Sequence, residues 1–174
     1  MIGTDNGNTY FTFELPGVFG LALDAGEDKR DFCREYGGTT CFEPFRRQET
    51  EWLERVYEEG KWKEANLRIA LCHIPFNMKH PEPFDIEAEI YEKWTGLLNK
   101  MGVEFLICGH MHQLFVLRPG DERLLTDAKF VTLVGSEKPQ EFTGAHYTIS
   151  KEKLTALFVR QDGEIRLSET IERG

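Results

Sequence analysis

The sequence predicts an α/β fold, and three observations carry that reading. Two short apolar runs, Leu67 to Cys72 (interrupted only by Arg68) and Val103 to Cys108, have the length and aliphatic content of strands buried on both faces. Between them, Ile86, Ile90, Trp94, Leu97, Leu98 and Met101 recur at steps of three and four, the period of a helix with one apolar face. From Gln113 onward the pattern turns to short β-type segments at 115–117, 130–134, 147–150, 154–160 and 164–167. Strand, helix, strand and then further strands is the order of an α/β layer.

The remaining elements follow in chain order. Residues 10–13 and 18–23 are two β-type runs on either side of the turn signal Pro16-Gly17, and together they read as a hairpin. Asp24 to Phe45, with Gly26, the Gly37-Gly38 pair and Pro44, reads as a long irregular loop, where substrate-facing variation is expected. Residues 48–60 set Trp52, Leu53, Val56 and Tyr57 on one helical face, with Gly60 as the stop. The acidic run from Glu49 to Glu64, mixed with Arg and Lys, reads as the solvated side of that helix. Asp85 is placed to cap the second helix and Gly102 to end it. Asp162-Gly163 marks the last two strands as a hairpin.

A chain of 174 residues with 40% hydrophobic content can bury one sizeable core and is short for two domains. The formal net charge of -9 and pI near 5.1 argue against a nucleic-acid backbone as partner, so a phosphate-handling site would need bound cations. No apolar run approaches the ~20 residues needed to cross a bilayer, and residues 1–20 lack the basic start and apolar block of a signal peptide. A soluble protein is expected, its compartment left open. Cys33, Cys41, Cys72 and Cys108 form no C-x-x-C pair, against zinc-ribbon and thioredoxin readings; a Cys33–Cys41 bridge is open.

Both buried-type strands run into histidines: His73 after the first, His110 and His112 after the second. A sheet holds side chains just past its strand ends at fixed positions on the rim of a crevice, where open α/β sheets bind ligands. An extended backbone through His110-Met111-His112 would put both imidazoles on one side. Three neutral imidazoles converging there make a site for zinc, manganese or iron, although a lone histidine is more often a plain surface or core residue. His80, in His80-Pro81-Glu82-Pro83, is a candidate to face a substrate, with a solvated loop position as the plainer reading. His146 reads as structural. Cys72 and Cys108 should point to the opposite strand face as buried, inert thiols.

Leu71-Cys72-His73-Ile74-Pro75-Phe76 resembles the fourth conserved block of the calcineurin-like metallophosphoesterases, a strand ending in His-x-Pro. Ile107-Cys108-Gly109-His110-Met111-His112 resembles their fifth, Gly-His-x-His. Residues 21–24 are similar to the strand and aspartate after the third block, and residues 48–53 to the helix before the fourth. The resemblance implies half of a four-layered α/β/β/α sandwich, a mixed sheet with covering helices, with residues 1–174 as the C-terminal portion of a single domain. It implies His73 and His110 as ligands of one metal ion and His112 as a ligand of the second, the ions being Mn, Fe or Zn.

The family's Asp-x-His, Gly-Asp-x-x-Asp and Gly-Asn-His blocks should precede Leu21, and residues 1–21 hold none of them. The bridging aspartate, the phosphate-contacting asparagine and the acid histidine go with them. No catalytic residue is therefore assigned in this chain, which is expected to be inactive or nearly so alone. The implied parent is a phosphomonoesterase or phosphodiesterase acting on a phosphoester substrate. The exposed inner sheet face then points to self-association or to pairing with the missing N-terminal half. The alternative is a non-catalytic metal-binding or interaction module that keeps part of the fold.

Overall fold

The computed structural model describes residues 7–82, 84, 86–125, 127–135 and 143–173. Among them run the strands β1 (Phe11–Leu15), β2 (Val18–Leu23), β3 (Leu67–Cys72), β4 (Phe105–Cys108), β5 (Leu114–Leu117), β6 (Val131–Gly135), β7 (Thr143–Ile149), β8 (Lys153–Arg160) and β9 (Ile165–Glu172), with the helices α1 (Phe42–Glu59) and α2 (Ala88–Met101). The hairpin expected at Pro16-Gly17 is present, with Leu15 opposite Val18. Gly17 sits at φ 77°, which the turn requires and glycine supplies without strain.

Strands β1 to β6 form one mixed sheet in the order β1-β2-β3-β4-β6-β5. The continuous apolar strands take its parallel centre, β2 to β3 to β4 to β6, and β1 and β5 flank it antiparallel. Both helices cover one face: Trp52, Leu53 and Val56 of α1 and Trp94, Leu97, Leu98 and Met101 of α2 pack over Leu21, Ala70, Leu106 and Val134. The strands β7, β8 and β9 form a separate antiparallel sheet. It stacks Leu154, Ala156 and Phe158 on the other face, against Leu67, Phe105 and Leu133. Close approach of the two sheets depends on Gly135, because a Cβ there would lie 2.4 Å from the Phe158 ring.

The layers are therefore helix, mixed sheet, second sheet. The mixed sheet with covering helices is as expected, but the inner face expected to lie bare is largely covered by β7 to β9. What remains open lies toward the edge strand β1, where Phe11 and Phe13 are half-buried and Leu15 is 58% exposed. No helix among the described residues is long and apolar enough to cross a membrane.

Two boundaries differ from expectation. Helix α1 begins at Phe42 rather than at residue 48, because both Asp31 carboxylate oxygens accept its first free N–H groups, from Phe42 at 2.8 Å and Glu43 at 3.1 Å. Pro44, read as a loop marker, stands in the first turn, where its missing N–H has no intrahelical partner to lose. Helix α2 begins at Ala88 behind Glu87, which has φ 48°; the expected cap Asp85 lies outside the described residues. Gly102 ends it at φ 65°, its N–H directed at the Leu98 and Asn99 carbonyls.

Candidate metal centre

Strands β2, β3 and β4 are parallel, so their C-terminal ends share one edge, and the loop from Asp24, His73 and His110 all leave the sheet there. The Gly109 N–H donates to the His73 carbonyl at 3.0 Å, carrying the β3–β4 ladder past the strand ends and bringing the two histidine segments side by side. His110 Nδ1 lies 3.4 Å from His73 Nε2, with the rings edge-on at 5.2 Å between centroids. Two imidazole nitrogens each ~2.1 Å from a tetrahedral ion stand about 3.4 Å apart, so this pair has the spacing of two ligands on one metal. Among the described residues no three His, Cys, Asp or Glu side chains surround a common point. Of the three histidines expected to converge, His73 and His110 are the two whose ring nitrogens are described at this spacing.

The expected extended backbone at His110-Met111-His112 is overturned. His110 and His112 have φ of 67° and 50°, in the left-handed region. The Met111 N–H donates to the Gly109 carbonyl at 2.7 Å, a three-residue turn centred on His110. Positive φ in such a turn is strained for a residue with a Cβ, and strain of this kind persists where the surroundings over-determine it. The tight turn aims His110 back over β3, which a straight strand continuation could not do.

Sequence reasoning missed Asp28. Its Oδ2 lies 3.3 Å from His110 Nε2, on the side of the ring away from His73. The Tyr36 hydroxyl donates to Asp28 Oδ1 at 3.3 Å and accepts the Lys29 N–H at 3.0 Å. Beneath this loop, the fully buried Arg46 donates to the carbonyls of Ala25 at 2.7 Å and Glu27 at 2.6 Å and pairs with Glu87 at 2.8 Å. The segment expected to be a long irregular loop is therefore anchored from below next to the histidines. Glu49, which opens the acidic run expected to be solvated, is fully buried and accepts the Asp24 N–H at 2.9 Å.

Burial holds His110 below its ordinary pKa; the Asp28 carboxylate opposes that shift, and His73, His80 and His112 add to it. The neutral imidazole so favoured is the form that binds metals. His80 is half-buried, its Nε2 3.1 Å from the Pro75 carbonyl, so it braces the His-x-Pro turn rather than standing free in solvent. His146 lies exposed on β7. Cys72 and Cys108 are buried as expected, with desolvation pushing the Cys72 thiol up to about 12. Cys33 and Cys41 are not joined.

Neither a protein-family model nor a curated protein matches the sequence. Solved structures do match the fold. A purple acid phosphatase from yellow lupin seeds superposes with a TM-score of 0.61 at 14% identity, over 94% of this chain and 32% of that one. A dimetal phosphatase from Danio rerio gives 0.60 at 14% identity, over 95% and 60%. GAP50, the anchor in the inner membrane complex of Plasmodium, gives 0.54 at 12% identity, over 95% and 53%. The fold is that of the calcineurin-like metallophosphoesterases, and this chain spans between 32% and 60% of the length of these three structures.

Proposed function

We propose that this chain is the C-terminal, histidine-bearing portion of a metal-dependent phosphoester hydrolase domain, with His73 and His110 as ligands of one ion and His112 as a ligand of a second. The observation that carries this reading is the 3.4 Å separation of His73 Nε2 and His110 Nδ1 at the carboxyl edge of a parallel sheet. The donor set fits a divalent zinc, manganese or iron ion: imidazoles on a rigid edge, with His110 favoured as its neutral form by burial. When bound, a pair of such ions supplies an activated hydroxide and screens the phosphoryl oxygens of the substrate. This chain's residues hold their ends of that site. The turn at His110 and the ladder bond from Gly109 to His73 fix the spacing of the pair, and His80 braces the turn after His73. The carboxylates that bridge and complete such a centre belong to a pairing partner, the N-terminal portion of the same domain, so the chain alone turns over phosphoesters negligibly.

Calorimetric titration of the purified chain with zinc and manganese, beside the double variant His110→Ala, His112→Ala, tests this. The expected result is weak binding of about one ion that vanishes in the variant. Tight binding of two ions with phosphoesterase turnover would overturn the inactivity; binding unaffected in the variant would overturn the ligand assignment. A second reading, a non-catalytic interaction module, draws support from the lack of a third converging donor among the described residues. No binding of either ion would favour it.

A further inference from the structure

We propose that Asp28 is the positioning carboxylate of His110: it accepts the Nε2–H and so fixes the tautomer in which Nδ1, facing His73, carries a free lone pair. The proposal rests on reading His110 as a ligand and adds a residue to which neither motif points.

The geometry assigns the two faces of the His110 ring to different partners. Nε2 faces Asp28 Oδ2 at 3.3 Å and Nδ1 faces His73 Nε2 at 3.4 Å. A carboxylate oxygen only accepts, so an N–H donated to Asp28 across this 3.3 Å approach has to sit on Nε2. In a neutral imidazole the other nitrogen is then bare, and here that nitrogen is turned toward the His73 imidazole at ligand spacing. A ligating histidine that hands its second N–H to a carboxylate is held in both tautomer and ring orientation, and its lone pair becomes more basic.

Asp28 is itself held from three directions. The Tyr36 hydroxyl occupies Oδ1, leaving Oδ2 for the histidine. That hydroxyl also receives the Lys29 N–H, which ties the ring to the backbone one residue beyond Asp28. One residue before it, the Glu27 carbonyl is pinned by Arg46, whose guanidinium is wholly enclosed between the loop and Glu87. A carboxylate clamped on both flanks can impose an orientation, whereas one on a free loop would follow the histidine. The strained turn at His110 fits the same demand, since φ 67° is tolerated only where the side chain's destination is fixed.

The test reads the tautomer directly in the metal-free chain, by long-range ¹H–¹⁵N correlation of the imidazoles above about pH 7.5, where neutral rings dominate. The wild type is expected to show His110 wholly as the Nε2–H tautomer, and Asp28→Ala to show a mixture with Nδ1–H while His80 stays unchanged. Zinc affinity, measured by chelator competition, is expected to fall by roughly 10- to 100-fold in Asp28→Ala and by less in Tyr36→Phe. A wild-type His110 protonated on Nδ1 overturns the proposal, as does a tautomer and affinity unchanged in Asp28→Ala. Should Asp28→Ala not fold, the wild-type tautomer and the Tyr36→Phe affinity still decide the matter. If instead His110→Ala leaves zinc binding untouched, the ligand reading has failed, while the tautomer result continues to decide the part played by Asp28.

Discussion

Glu49 has no exposed surface; its Oε1 accepts the Asp24 N–H, and its Oε2 has no hydrogen-bond partner among the described residues. Desolvation outweighs that one bond and the nearby Arg46, and pushes the carboxyl from 4.5 up to about 9. Between those pH values the unfolded chain releases a proton that the folded chain keeps. The stability linked to Glu49 is therefore complete below about pH 4.5 and is lost as the pH rises through about 9, at no more than about 1.4 kcal/mol per pH unit. Glu49→Gln keeps an acceptor for Asp24 and removes the titration. Its urea midpoint is expected to fall less between pH 5 and pH 9 than that of the wild type, leaving the variant more stable at the alkaline end; parallel slopes would show Glu49 ionised in the fold. Burial at this position was not legible in the sequence, where Glu49 is one acid in a mixed charged run. Nor was Asp28, one of four acids between Asp24 and Asp31 in a segment without periodicity. His73 and His110 were legible because each ends an apolar strand, which fixes its place on the sheet edge whatever the loops do.

At the scale of elements, the strands and helices with unbroken apolar patterns were readable, and the start of α1 was not. That start depends on Asp31, eleven residues upstream of Phe42 and joined to it only by the folded loop, and on a proline whose meaning depends on which turn it occupies. The same helix carries Arg46, which a helical pattern places among surface charges and which the fold encloses completely. Its hydrogen bonds to Ala25, Glu27 and Glu87 tie α1, the loop before it and the entry to α2 into one unit. Removing it strands the Glu87 carboxylate and two carbonyls, so Arg46→Ala is expected to cost about 3–5 kcal/mol in denaturant unfolding. It should also move the first site of limited proteolysis into the 24–41 loop. Lys at this position cannot reproduce the planar fork and should recover only part of the loss. A cost below about 1 kcal/mol would mean that the guanidinium behaves as an ordinary surface charge.

For the whole molecule, the question is whether the helix layer and the β7–β9 layer fold as one body. They touch opposite faces of the same mixed sheet, and each is anchored by its own cluster of buried side chains. The stacking of the second sheet was beyond sequence reading, since the late strands announce their period and not the surface they will cover; Gly135 acquires its role only once Phe158 lies across it. Phe158 is fully buried, edge-on to Tyr147 at 6.0 Å between centroids. Phe158→Ala is expected to cost about 3–5 kcal/mol. All three tryptophans, Trp52, Trp62 and Trp94, lie on the helix side, so their fluorescence reports the layer that the substitution does not touch. Because alternate residues of β3, β4 and β6 serve the two clusters, loss of packing on one face loosens the strands that hold the other. Tryptophan fluorescence and far-ultraviolet circular dichroism should therefore shift to the same lower urea midpoint in the variant. A dichroism transition that moves while the fluorescence transition stays put would show the three-stranded sheet unfolding by itself, with the histidine edge resting on the helix-backed sheet alone.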